Sequence, residues 1–440
     1  MIVDAETSSS TDPATPIDPD APTVNAPGLQ GFVFSLFFIF GGITSLNDVI
    51  IPKLKSLFTL NYSQAMLVQF AFFTAYFVVS LPGASIVKRI GYMRTATVGL
   101  LTMTVGCLLF VPASASGVFA VFLLALFVLA AGITIVQVVA NPLISMLGPP
   151  RTAHSRLTFA QAFNSFGTTI FPIVGSILIL GPIPKLDPKT LTGAALSSFR
   201  TTESHVIVTT YLGLAAALAV VAAVVWSQRH RLPEPPSDKT PMFGGFDLLR
   251  RTRFGWGALC IFLYVGAEVA IGSMIVNYLE QANVMGLSAE SAGKHVAYYW
   301  GGAMVGRFIG AYVLRLVSPG KVLAGTALAA IALILVSTHT DGVVAAFSLL
   351  GIGLFNSIMF PTIFTLASEG LGVRTADGSG IICVAIVGGA IVPPLTGILA
   401  DHTNLRLALA LPAICYAIIL AYGVYARRSA AASGQLASAH

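Results

Sequence analysis

Two carboxylates stand where a hydrocarbon environment should not tolerate them. Most of the 18 Asp and Glu residues fall in polar stretches, but Asp48 and Glu268 sit among apolar neighbours. A charge at bilayer depth costs several kcal/mol unless it faces a cavity or a partner. Such a carboxyl can load and release a proton, or lend oxygen to a small hard cation such as sodium. Asp48 has Asn47 and Ser45 beside it as further oxygen donors, so a sodium site is expected, if anywhere, at Asp48. Glu268 has fewer polar neighbours in VGAEVAIGS and is expected to couple a cation, bind substrate or fix helix packing. Counted at 1.5 Å per residue, Asp48 lies about 24 Å beyond Phe32 and Glu268 about 18 Å beyond Trp256.

A second set of groups is uncharged. Gln69, Gln137, Asn141, Gln161, Asn164 and Asn356 lie in apolar surroundings. An amide both donates and accepts without the cost of burying charge, which suits a polyhydroxylated solute. Each could instead serve only interhelical hydrogen bonding. Gln137 and Asn141 are four apart and Gln161 and Asn164 three apart, so each pair shares a helix face. Trp300 could stack on a sugar ring or anchor a helix. Arg307 is expected near the end of its helix in a structural pairing, and His154 and His205 at helix starts.

The elements that must position these groups follow from composition. The 440-residue chain is 55% hydrophobic and 10% charged, against roughly a quarter charged in soluble domains. Helices of about 20 apolar residues cross a bilayer. Twelve such runs are expected near 31–52, 63–87, 95–112, 117–147, 156–180, 205–226, 256–279, 294–314, 321–337, 342–367, 379–399 and 407–425. Residues 1–30 read as a disordered cytoplasmic tail, 31–227 as one six-helix half, 228–254 as a cytoplasmic linker, 255–427 as the second half and 428–440 as a cytoplasmic tail. Of the 24 Lys and Arg, all but Lys53, Lys55, Lys185, Lys189, Arg200, Lys294 and Arg406 then fall on the linker side, which places both termini in the cytoplasm.

The halves repeat. LGPPRTAHS at 147–155 matches LGVRTADGS at 371–379; Pro172-x-x-Gly175 matches Pro394-x-x-Gly397; VKRI at 87–90 matches VLRL at 313–316. The shared offset is about 223 residues. The fold expected is therefore all-α: twelve transmembrane helices in two pseudo-symmetric six-helix halves around a midplane cavity, the arrangement of major facilitator transporters.

Other classes find no support. The net charge of +6 is distributed as membrane topology requires and suggests no nucleic-acid partner. There is no G-x-x-x-x-G-K-[ST] loop and no H-E-x-x-H helix, so neither an enzyme nor an ATP-driven pump is indicated, and no cofactor is expected. Cys107, Cys260, Cys383 and Cys415 have no metal-ligand spacing and read as packed thiols.

Six stretches carry a family resemblance: FIFGGITSLND at 38–48, VQVVANPLISMLGP at 136–149, FAQAFNSFG at 159–167, YVGAEVAIGS at 264–273, YYWGGAMVGRFIGA at 298–311 and MFPTIFTLA at 359–367. Together they resemble the fucose permease and glucose/galactose transporter family over nearly the whole chain. The resemblance implies a bacterial inner-membrane symporter, in a monomeric carrier, for a hexose or deoxyhexose. It also implies an essential acid at the position of Asp48, with Asn47 beside it. The fucose permease carries a functional Glu where Gln137 stands here. Gln137 with Glu268 looks more like the glucose/galactose branch, some of whose members resemble sodium-coupled carriers. Sodium- or proton-coupled hexose import is the leading expectation. Proton-coupled fucose uptake, a transporter-like sugar sensor and efflux of an amphiphile are the alternatives.

Overall fold

A computed structural model describes residues 28–60, 64, 67–175, 178, 192–230, 241 and 244–427. The expected tails apart from residues 28–30, and residues 231–240 and 242–243 of the expected linker, lie outside the described residues, as do the side chains of Asn47 and Asp48. The first half consists of α1 (Gly28–Phe58), α2 (Leu67–Ile90), α3 (Tyr92–Leu108) continued by α4 (Phe110–Ser116), α5 (Phe119–Met146), α6 (Ala153–Gly175) and α7 (Gly193–Ser227). The second consists of α8 (Thr252–Glu280), α9 (Ala289–Leu316), α10 (Pro319–His339), α11 (Gly342–Asn356) continued by α12 (Met359–Ser368), α13 (Thr375–Ala385) continued by α14 (Gly388–His402), and α15 (Leu405–Ala408) continued by α16 (Ala410–Tyr425). Taken across breaks of one or two residues, the described residues form twelve rods, consistent with the apolar runs.

Among the described residues, ten of these rods are long and apolar enough to cross a membrane. The other two are α6 and α9. Their composition explains it: α6 carries Arg156, Gln161, Asn164 and a series of Ser and Thr, and α9 carries Lys294, Arg307 and Arg315. These two helices pack on one another across the halves, as α2 does on α13.

Within each half the 223-residue repeat has a packing consequence. Gly167 of α6 lies so close to α1 that a Cβ would overlap the Phe38 carbonyl, and Gly388 of α14 meets the Phe262 carbonyl of α8 in the same way. Only a residue without a side chain lets these helices approach so closely. The repeat glycines therefore serve tight packing at these two positions, whereas Gly397 has no neighbouring atoms within 4 Å of its Cβ position. All four cysteines are buried and free.

The two halves meet most closely at the end where the linker joins them. Lys88 of α2 and Asp377 of α13 form an ion pair of 2.7 Å with side chains only 4% and 3% exposed. The repeat serines mirror each other: Ser155 donates to the Ala311 carbonyl at 2.5 Å, and Ser379 donates to the Val138 carbonyl at 2.8 Å. Arg315 Nε adds a bond to Ser155 Oγ, and His154 contacts Thr365 and, at 3.3 Å, Glu369. Together these contacts seal that end.

Candidate functional site

Beyond the seal the halves part around a cavity of about 170 Å³. That is an order of magnitude more than the roughly 10–15 Å³ that one water needs. Measured along their helices from the linker end, Gln161 is about 12 Å in and Glu268 about 24 Å, so the cavity spans the middle of the bundle. The first half lines it with Phe40, Gly41 and Thr44 of α1, Tyr76 of α2, Gln137 of α5, and Gln161, Asn164 and Thr168 of α6. The second half contributes Tyr264, Val265 and Glu268 of α8, Arg307 of α9, Phe360 of α12 and Ile386 just past α13.

Four residues singled out by sequence meet here: Gln137, Gln161, Asn164 and Glu268. They come from three helices because each lies at a depth where its own helix turns a polar face inward. Gln137 Oε1 accepts a hydrogen bond from the Tyr76 hydroxyl at 2.8 Å, which leaves its amide N–H groups for a solute. Asn164 Nδ2 is weakly engaged, 3.4 Å from the Phe37 carbonyl. On the opposite wall the Tyr264 hydroxyl lies 2.7 Å from Glu268 Oε1 and 3.2 Å from the Asn356 carbonyl oxygen. A phenol has one proton to give, and the shorter distance assigns it to Glu268. Glu268 stands about 24 Å along α8, deeper than the 18 Å counted from Trp256, because the helix begins at Thr252.

Other expected residues are placed differently. Asn356 is fully buried behind the Glu268 wall: its Nδ2 donates to the Tyr299 hydroxyl at 2.8 Å, and that hydroxyl donates to the Glu268 backbone carbonyl at 3.2 Å. Asn356 therefore holds Tyr299 and α8 in place and does not line the cavity. Ser45 is buried and spends its hydroxyl on the Gly42 carbonyl of its own helix at 2.7 Å. Gln69 is half-buried seven residues before Tyr76, toward the far end of α2. Trp300 is 46% exposed, with its ring near-perpendicular to that of Tyr299 and its Cζ2 atom beside Gly272. Asn141 lies below the cavity floor with no exposure. Asn47 and Asp48 lie on α1 three and four residues beyond cavity-lining Thr44.

Arg307 pairs structurally as expected but lies deeper than expected. It stands nine residues before the end of α9, about 13 Å in, and it lines the cavity. Its guanidinium reaches across to the first half, donating to Ser165 Oγ and to the Gln161 carbonyl at 3.2 Å, and back to the Ser357 carbonyl at 3.3 Å. Among the described lining residues it is the single Lys or Arg, and Glu268 the single acid. Tyr76, Tyr264, Thr44 and Thr168 were also missed. For Tyr264 the signal was present, since it precedes Glu268 by four residues and so shares its helix face.

A cavity between two six-helix halves, sealed at one end and walled by amides and one charge of each sign, is a solute site of a carrier. Residues 33–382 match the family model for the Major Facilitator Superfamily. The chain belongs to the major facilitator superfamily. It is thus a multi-pass membrane transporter and not an enzyme. It is 50% identical over 398 residues to the glucose/galactose transporter of Brucella abortus, covering 90% of this chain and 93% of that one. It is 33% identical over 405 residues to the L-fucose-proton symporter of Escherichia coli, covering 90% and 92%. A crystal structure of the transporter FucP in the outward conformation superimposes with a TM-score of 0.83 at 32% identity, over 91% of this chain and 99% of that one.

Proposed function

We propose that this superfamily member imports a hexose such as glucose or galactose together with a cation, sodium or a proton, by alternating access across a bacterial inner membrane. The observation that carries the reading is the pairing, in one cavity, of Gln137, Gln161 and Asn164 on the first half with Glu268 and Arg307 on the second. The amides match hydroxyl groups that both donate and accept, and Glu268 offers an exchangeable site for a proton or an oxygen ligand for sodium. The half-identical glucose/galactose transporter supports a hexose over other polar solutes. Asp48, one helical turn beyond Thr44, is proposed as the coupling acid, with Asn47 and Ser45 beside it and Glu268 as a second polar or coupling site. The excess of Lys and Arg at the linker end supports cytoplasmic termini.

Uptake into proteoliposomes tests this directly. Radiolabelled glucose, galactose, mannose and fucose are offered under an imposed sodium gradient, an imposed proton gradient, or neither. Gradient-driven accumulation of glucose or galactose is expected. Accumulation of fucose alone would favour the reading drawn from the fucose-proton symporter. Saturable binding with no uptake under any gradient would refute transport and favour a sensor.

A further inference from the structure

One helical turn below the cavity floor, toward the linker end, two buried polar side chains stand without matched groups. Asn141 follows Gln137 on α5 by four residues, and Thr158 precedes Gln161 on α6 by three, so each continues the polar face of a cavity-lining amide. Each is five residues from the linker end of its helix, about 7–8 Å in. Both are 0% exposed. Neither Oδ1 nor Nδ2 of Asn141, nor Oγ1 of Thr158, has a hydrogen-bond partner among the described residues. Along the same faces Gln137 is engaged by Tyr76, and Ser155 by Ala311 and Arg315.

Both lie at the seam between the halves. The Thr158 methyl is 3.8 Å from where a Cβ on Gly310 of α9 would stand. Three residues before Asn141, the Val138 carbonyl receives Ser379 from α13. An opening that parts α9 and α13 from the first half would uncover these side chains. Gln137, Asn141, Gln161 and Thr158 then form one polar wall running from the cavity toward the linker. An amide and a hydroxyl each donate and accept, the pattern a sugar hydroxyl meets with both of its own functions.

We infer that Asn141 and Thr158 form a second, transient sugar-hydroxyl subsite on the exit path, covered while the linker end is sealed and occupied as the solute leaves the cavity. This inference rests on the hexose-transport reading. It explains why polar groups are kept where apolar ones would pack more favourably: leaving them unmatched destabilises the sealed state and their use comes in the other.

The test compares the full-length parent with Asn141→Leu and Thr158→Val, which keep shape and remove polarity. Three quantities are measured: the melting temperature in detergent without sugar, the affinity of the purified carrier for the sugar the parent transports, and the turnover of that sugar in proteoliposomes. Expected for Asn141→Leu is a melting temperature raised by roughly 2 °C, affinity within about twofold of the parent, and turnover reduced about tenfold through loss of an amide's two hydrogen bonds. Thr158→Val should follow with about half that loss on a logarithmic scale. A lowered melting temperature would show a structural role and overturn the inference. So would unchanged turnover, or an affinity loss as large as the turnover loss, which would place Asn141 in the cavity site. A parent that binds none of the sugars overturns the transport reading and this inference together.

Discussion

Replacing Asp377 with Asn should open the linker end. The Lys88–Asp377 pair joins the two halves at 2.7 Å with both side chains almost fully buried, and Arg374 Nε approaches the second Asp377 oxygen at 3.3 Å. When α2 and α13 separate, both charges reach water, where an ion pair contributes at most about 1 kcal/mol. In the sealed state, removing one partner of a buried pair costs roughly 3–5 kcal/mol. The Asn amide still offers Lys88 an oxygen, and Arg374 keeps Asp247, whose two carboxylate oxygens it binds at 2.7 Å. The lower figure applies, so Asp377→Asn shifts the sealed-to-open ratio by about 3 kcal/mol, or about 150-fold. The assay is a reporter thiol, Ser379→Cys in a Cys383→Ala background, labelled by an impermeant maleimide from the linker side. The labelling rate should rise by up to two orders of magnitude in Asp377→Asn. The apolar pair Lys88→Met with Asp377→Leu should bring it back to near the parent's, because a buried ion pair exchanged for packed hydrophobic groups keeps the interface closed. A rate for Asp377→Asn within threefold of the parent's, with melting unchanged, would refute the argument that this pair holds the seal.

Glu268→Gln keeps the hydrogen bond from Tyr264 but removes the exchangeable charge; accumulation against a gradient should fall at least tenfold while sugar exchange persists, measured by counterflow. Gln161→Ala should raise KM about five- to tenfold, the loss of one or two neutral hydrogen bonds, with little change in melting temperature. Gly167→Leu and Gly388→Leu force a side chain into the Phe38 and Phe262 carbonyls, and both should yield little folded protein by size-exclusion chromatography, whereas Gly397→Ala should be silent. The Arg374 guanidinium, donating to Asp247, holds that carboxyl below its ordinary value. A depressed carboxyl pKa contributes stability that is present above the unfolded value and lost only as pH falls through the folded one, so Asp247→Asn should leave the shape of the uptake profile between pH 5 and 8 unchanged.

The membrane class and the twelve-rod plan were legible because apolar length is a one-dimensional property of the chain. The repeat was legible too, and the structure gives it a reason: Ser155 and Ser379 occupy equivalent places and each crosses to a backbone carbonyl of the other half. Amides at i and i+4 could be assigned to one face, but not to one depth. Gln137 and Asn141 share a face, yet the first lines the cavity and the second lies beneath it, because the floor is made by packing of the other half. Arg307 was misplaced for a related reason. It was expected near the inner end of the 294–314 run, whereas it stands nine residues before the end of α9 at Leu316 and spans the seam. Asn356 was chosen for its residue type alone, and its partner Tyr299 comes from another helix that only folding brings alongside.

The polarity of α6 and α9 has a consequence for how the protein is made. Among the described residues ten rods are long and apolar enough to cross a membrane, while α6 and α9 carry more polar groups along their described lengths. A helix with Arg156, Gln161 and Asn164 on it partitions poorly by itself, and so does one with Lys294, Arg307 and Arg315. Each is favoured in the membrane by packing beside a more apolar neighbour. Only six residues separate α5 from α6, so the most apolar rod of the first half delivers α6 as a hairpin, and α1 then receives it at Gly167. For α9 the neighbours are α8 and α10. The two helices that carry much of the cavity's polarity and meet across the seam thus depend on their neighbours for a stable place in the membrane.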